Sequence, residues 1–108
     1  MLVNVFSVFM FLSVATAKLH ENCACHNGDS YSFRLTMAAC TEYNDAGYEW
    51  GGAKYDTPSG RCVGASGEDK IAGDQWEDAC RKISKEGFAC ADGEGKCYAN
   101  SDSVRGRC

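Results

Sequence analysis

The chain has 108 residues, 15 acidic against 11 basic side chains for a net charge of −4, and eight cysteines. That balance argues against a nucleic-acid or anionic-membrane partner held by bulk positive charge. A chain this short builds one domain with a modest core, so its cysteines enter the stability argument from the outset.

Residues 1 to 17, MLVNVFSVFMFLSVATA, are mostly apolar, carry no charged side chain and end in Ala15-Thr16-Ala17, the small-x-small pattern that signal peptidase accepts. We read them as a cleaved signal peptide that leaves Lys18 as the new N-terminus. The stretch is shorter than the ~20 apolar residues of a spanning helix and no second one follows, so no integral membrane span is expected. All eight cysteines, Cys23, Cys25, Cys40, Cys62, Cys80, Cys90, Cys97 and Cys108, lie beyond the cut. An even set at this density in an exported chain reads as four disulfides, each typically worth ~2–4 kcal/mol. Cys23-Ala24-Cys25-His26 groups three metal-ligand types, but the paired CxxC knuckles of a zinc site are missing, and no metal or cofactor is expected.

In chain order, residues 18 to 22 read as a loose terminus. Asn22 to His26, bounded by Asn27-Gly28-Asp29, reads as a strand that places Cys23 and Cys25 on one face. Their Cβ vectors point the same way from positions about 7 Å apart, so each is expected to reach across to a packed layer instead of bonding the other. Leu35 to Tyr43 reads as a helix with Leu35, Ala38, Ala39 and Glu42 along one side, although the alternation of Tyr31, Phe33 and Leu35 fits a strand as well. Gly47 to Tyr55 and Arg61 to Ala65 flank the turn Thr57-Pro58-Ser59-Gly60 and suggest a hairpin.

Asp74 to Glu86 is the clearest helix. Asp74 and Glu77 have capping-box spacing, Gly87 stands at the C′ position, and Trp76, Ala79, Cys80 and Ile83 form one apolar stripe. Phe88 to Ala91 and Lys96 to Ala99 surround Asp92-Gly93-Glu94-Gly95 and suggest a second hairpin. Arg105-Gly106-Arg107 reads as a solvated tail held by Cys108, the alternative being a local basic patch that touches a partner. The expected fold is a small disulfide-rich α+β two-layer sandwich, an antiparallel sheet with two helices on one face. Bridges from Cys23 and Cys25 to Cys40 and Cys80 suit that geometry, with the full pairing left open.

Ile71-Ala72-Gly73-Asp74-Gln75-Trp76-Glu77-Asp78-Ala79-Cys80 followed by Gly87-Phe88-Ala89-Cys90, together with the early Cys-x-Cys and the signal peptide, resembles fungal small secreted cysteine-rich proteins. Many of those are candidate effectors of plant pathogens. Residues 68 to 97 are also similar to killer-toxin-like effector domains, with an Ala-Cys pair on a helix and a glycine and cysteine beyond it. Cysteine spacing elsewhere differs, and no toxic residue maps onto this chain. The resemblance implies secretion into a host apoplast or host interface and a virulence role exerted by binding a host extracellular protein or cell-surface component.

Catalysis needs a nucleophile or an acid/base pair at close quarters. His20 and His26 are the only histidines; one sits in the expected loose terminus and the other beside the cysteine pair. Gly-x-Ser-x-Gly and His-Glu-x-x-His are absent, and Glu68-Asp69, Glu77-Asp78 and Asp92/Glu94 read as acidic surface. Asp92 to Gly95 has too few spaced oxygens for calcium. The chain is therefore read as a non-enzymatic monomer. The runner-up reading is a cell-wall glycan-binding module that stacks sugars on Tyr48, Trp50 and Tyr55, with Tyr55 on the opposite strand face unless Gly51-Gly52 bulges. A channel-directed or antimicrobial toxin comes third, since the acidic balance lacks the cationic surface of membrane-active peptides.

Overall fold

The computed structural model describes residues 18–108. The signal peptide proposed over residues 1–17 lies outside the described residues. In order, the elements are β1 (Leu19–His20), β2 (Asn22–Asn27), β3 (Ser30–Tyr31), α1 (Phe33–Ala46), β4 (Ala53–Asp56), β5 (Arg61–Gly64), β6 (Ile71–Ala72), α2 (Gly73–Glu86), β7 (Phe88–Ala89), β8 (Lys96–Cys97), a 3₁₀ turn (Ser101–Ser103) and β9 (Val104–Arg107). This is the expected small disulfide-rich α+β fold. The residues 18 to 22 expected to be loose instead supply β1, paired antiparallel with β6, and the start of β2.

The main sheet is antiparallel and centred on β2. One edge of β2 pairs with β9 from Ala24↔Arg107 to Asn27↔Val104. The other edge pairs with β5 at Asn22↔Val63 and Cys23↔Cys62, then with β3 at His26↔Tyr31, while β4 lies outside β5. The segment Arg105 to Arg107 is thus no solvated tail. Its backbone completes the ladder of the central strand, whose amides would otherwise lack partners on that edge.

Helix α1 starts at Ser32, whose extended backbone (φ −124°, ψ 109°) and Oγ cap the Leu35 amide at 3.3 Å. It ends at Gly47 in the left-handed conformation, φ 68°. Phe33 opens the helix, so the alternation that suggested a strand stops at Tyr31. Leu35, Ala39 and Tyr43, spaced by four, are buried beside Thr36 and Cys40. Thr36 Oγ1 donates to the Ser32 carbonyl at 2.7 Å and accepts from the Cys25 amide at 2.9 Å, which ties the helix to β2.

Helix α2 buries Trp76, Ala79, Cys80 and Ser84, with Ile83 packed partly against the core. The capping box expected from Asp74 and Glu77 does not form. The helix begins one residue earlier, at Gly73, whose amide donates to the Lys18 carbonyl at 3.0 Å. The backbone just ahead of β1 therefore takes part in the capping that side chains were expected to provide. Glu77 instead lies against β9, accepting the Gly106 amide at 3.0 Å and pairing with Arg81 at 3.5 Å.

Four disulfides close the fold: Cys23–Cys108, Cys25–Cys80, Cys40–Cys62 and Cys90–Cys97. The expected reach of Cys25 to α2 is met by Cys80. Cys23 does not reach Cys40, because β9 runs alongside and continues its register to bring Cys108 opposite Cys23; Cys40 takes Cys62 on β5 instead. Cys25, Cys62 and Gly106 all point at the helices, so both helices cover one sheet face. At the centre the fully buried Trp76 donates Nε1–H to the Ala24 carbonyl at 2.9 Å, and Tyr43 accepts the Ala72 amide at 2.9 Å through its hydroxyl.

Candidate functional site

The three aromatics proposed as a glycan platform do not share one surface. Tyr48 and Trp50 lie in the loop ahead of β4, not on a strand, with ring centroids 5.6 Å apart, and Tyr48 packs on the buried Tyr43 at 4.9 Å. Both are half-buried. Tyr55 stands on β4 opposite Cys62, and its hydroxyl lies 3.4 Å from that of Tyr31, beside the Gly60 turn. A stacking surface is thereby reduced to the Tyr48–Trp50 pair.

His20 belongs to β1, where its ring lies against Gly73. His26 sits edge-on to Tyr31, centroids 6.1 Å apart, and its Nδ1 is buried without a hydrogen-bond partner. Asp69 is occupied by the Ser66 amide at 3.2 Å and Asp92 by the Glu94 amide at 2.9 Å, as expected of turn carboxylates. With Cys23 and Cys25 both in disulfides, neither offers a thiolate to zinc. Among the described residues, no three His, Cys, Asp or Glu side chains gather to hold a metal, and no helix is long and apolar enough to cross a membrane.

A different feature comes from α1. Phe33, Met37 and Thr41 recur every four residues on a stripe away from the buried one, and they form one wall of an open groove of about 480 Å³. The opposite wall is Ala89 to Ala91 and Gly93, held in the β7–β8 hairpin by Cys90–Cys97 and the Phe88↔Cys97 pairing. The lining is largely apolar, and Phe33 and Met37 remain 45% and 44% exposed. Arg34 sits at the rim with its guanidinium 4.7 Å above the Phe33 ring. It forms no ion pair among the described residues.

No protein-family model matches this chain. Nor does any curated protein or solved structure. The resemblance to secreted effector-like proteins therefore rests on the residues quoted for it above. The groove was missed at the level of sequence because one signal, an apolar pair at i and i+4 outside the core stripe, acquires meaning only once the hairpin is known to stand opposite it.

Proposed function

We propose that this is a secreted, effector-like, non-catalytic protein that acts by binding a host extracellular protein. Four disulfides suit an oxidising, extracellular environment. The observation that carries the binding reading is the groove between α1 and the 88–97 hairpin, where two large apolar side chains stay half-exposed beside an unpaired arginine. Burying such rings and thioethers is the main energetic source of protein recognition, and small proteins rarely leave them exposed side by side without a partner. The fitting partner is a protein segment that presents a bulky apolar side chain next to a carboxylate, the first for the groove and the second for Arg34.

The test offers the protein, secreted from the full-length sequence by a eukaryotic host, to host extracellular fluid and to a displayed peptide library. Expected are enrichment of peptides with an acidic residue beside an aromatic or Leu, and a discrete host protein. Both should be lost in Met37→Asp and reduced at least about tenfold in Phe33→Ala. Recovery unaffected by either substitution would overturn the groove as the site. The glycan reading retains the Tyr48–Trp50 pair as its observation; retention on chitin or β-glucan that disappears in Trp50→Ala would put it first.

A further inference from the structure

The register of the main sheet gathers its charged side chains on one face. Cys23, Cys25, Cys62 and Gly106 face the helices, so the residues alternating with them face outward. Lys54 on β4, Arg61 on β5, His26 on β2, and Arg105 and Arg107 on β9 therefore share one face, with Tyr31 paired to His26 at its edge. Neither helix packs there. Arg61 lies across the face, donating to Asn22 Oδ1 and, at 2.8 Å, to the Arg107 carbonyl, and so covers the fully buried Ala24. Arg105 donates to the carbonyls of Asp102 and Val104.

Elsewhere on the described surface, Lys70, Arg81 and Lys82 are each paired with a glutamate. Lys54, Arg61, Arg105 and Arg107 have no such partner among the described residues. Asp56 is the one carboxylate at an outward register position, and it accepts the Ser59 amide at 3.0 Å. Arg105 and Arg107 alternate on one strand ~6.8 Å apart, inside the ~8 Å screening length of physiological salt, and the Arg61 guanidinium reaches across β2 to the Arg107 carbonyl, so these three act together, with Lys54 further along the face on β4. A chain of net charge −4 thus carries a concentrated positive face.

We infer that this outer sheet face binds an acidic polysaccharide, a linear polymer bearing carboxylates. Guanidinium groups in a row suit carboxylates spaced along a chain. Tyr31 is 44% exposed, and its hydroxyl, donated to the Gly60 carbonyl, holds the ring at the edge of the cationic row, placed to stack on one sugar. The outward register positions carry no exposed large aliphatic side chain to enter a bilayer, which disfavours a membrane. A lone tyrosine also lacks the succession of rings on which single-stranded nucleic acid stacks. The inference goes beyond the groove and uses none of its residues.

The experiment measures retention of the secreted protein on immobilised polygalacturonate, with neutral β-glucan, vesicles of anionic phospholipid and single-stranded DNA as parallel arms. The wild type should bind polygalacturonate at low salt, release as salt rises, and ignore β-glucan. Arg105→Glu/Arg107→Glu should weaken binding at least about tenfold, while Arg105→Lys/Arg107→Lys keeps it within about threefold. Lys85→Glu/Lys96→Glu changes net charge equally at sites away from the main sheet and from the groove lining and should leave binding nearly intact. Equal loss in both Glu pairs, or tighter retention on vesicles or DNA, would overturn the assignment. Each variant is first checked for four closed disulfides by mass and for wild-type near-ultraviolet dichroism, and Tyr31→Ala provides a second probe of the face should the β9 pair misfold. Unchanged retention in Tyr31→Ala alongside loss of fold in the β9 pair would likewise count against the site.

Discussion

A Cβ placed on Gly106 would lie 2.8 Å from Trp76 Cδ1 and 3.1 Å from the Glu77 Cα, closer than side chains pack. The absence of a side chain there is what lets α2 rest directly on β9. Gly106→Ala should therefore cost about 1–3 kcal/mol, read as a lower urea midpoint at constant m-value. Wild-type stability would mean that the helix stands further from the strand. Tyr31 supplies a second test. Its phenol is pushed up to about 12, first by desolvation and then by the hydrogen bond and repulsion of Tyr55. The folded chain keeps this proton where an unfolded tyrosine, with pKa near ~10, gives it up. Its contribution to stability is thus intact below about pH 10 and lost as pH rises through about 12. Ultraviolet titration should show a late phenolate that vanishes in Tyr31→Phe.

At the level of elements, the helices were legible and the short strands were not. Trp76, Ala79 and Cys80 announce the inner face of α2 through a 3.6-residue period that needs no knowledge of partners. Strands of two residues, such as β1 and β6, carry no period, and their pairing depends on where distant backbone amides find acceptors. The same distinction governs the capping of α2, where the Lys18 carbonyl replaces the capping box that Asp74 and Glu77 spelled out locally. Disulfides test this scale directly. Cys23–Cys108 spans 85 residues and Cys90–Cys97 only 7. Loop-closure entropy assigns them roughly 4.6 and 2.5 kcal/mol respectively. Paired alanine replacements at Cys23 and Cys108 should lower unfolding free energy more than those at Cys90 and Cys97, while the latter should chiefly loosen the groove wall and weaken partner binding. The reverse order of stability would show that strain or residual structure outweighs chain entropy.

On the scale of the whole molecule, two surfaces with different chemistry emerge from one small scaffold, an apolar groove outside α1 and a cationic sheet face. The four disulfides hold both, so reduction should abolish partner and polysaccharide retention together; loss of one alone would assign the bridges unequal roles. Composition, cysteine count and helical periodicity determined by themselves that this chain is a disulfide-stapled α+β domain, since those properties follow from local spacing and from how little core so short a chain can bury. Which cysteines pair, that Arg105 to Arg107 forms a strand of the central sheet, and that Lys54, Arg61, Arg105 and Arg107 stand on one face were decided only in three dimensions. Each depends on the register between segments far apart in sequence, and a register is chosen by the packing of the whole fold, not by the residues of either strand alone.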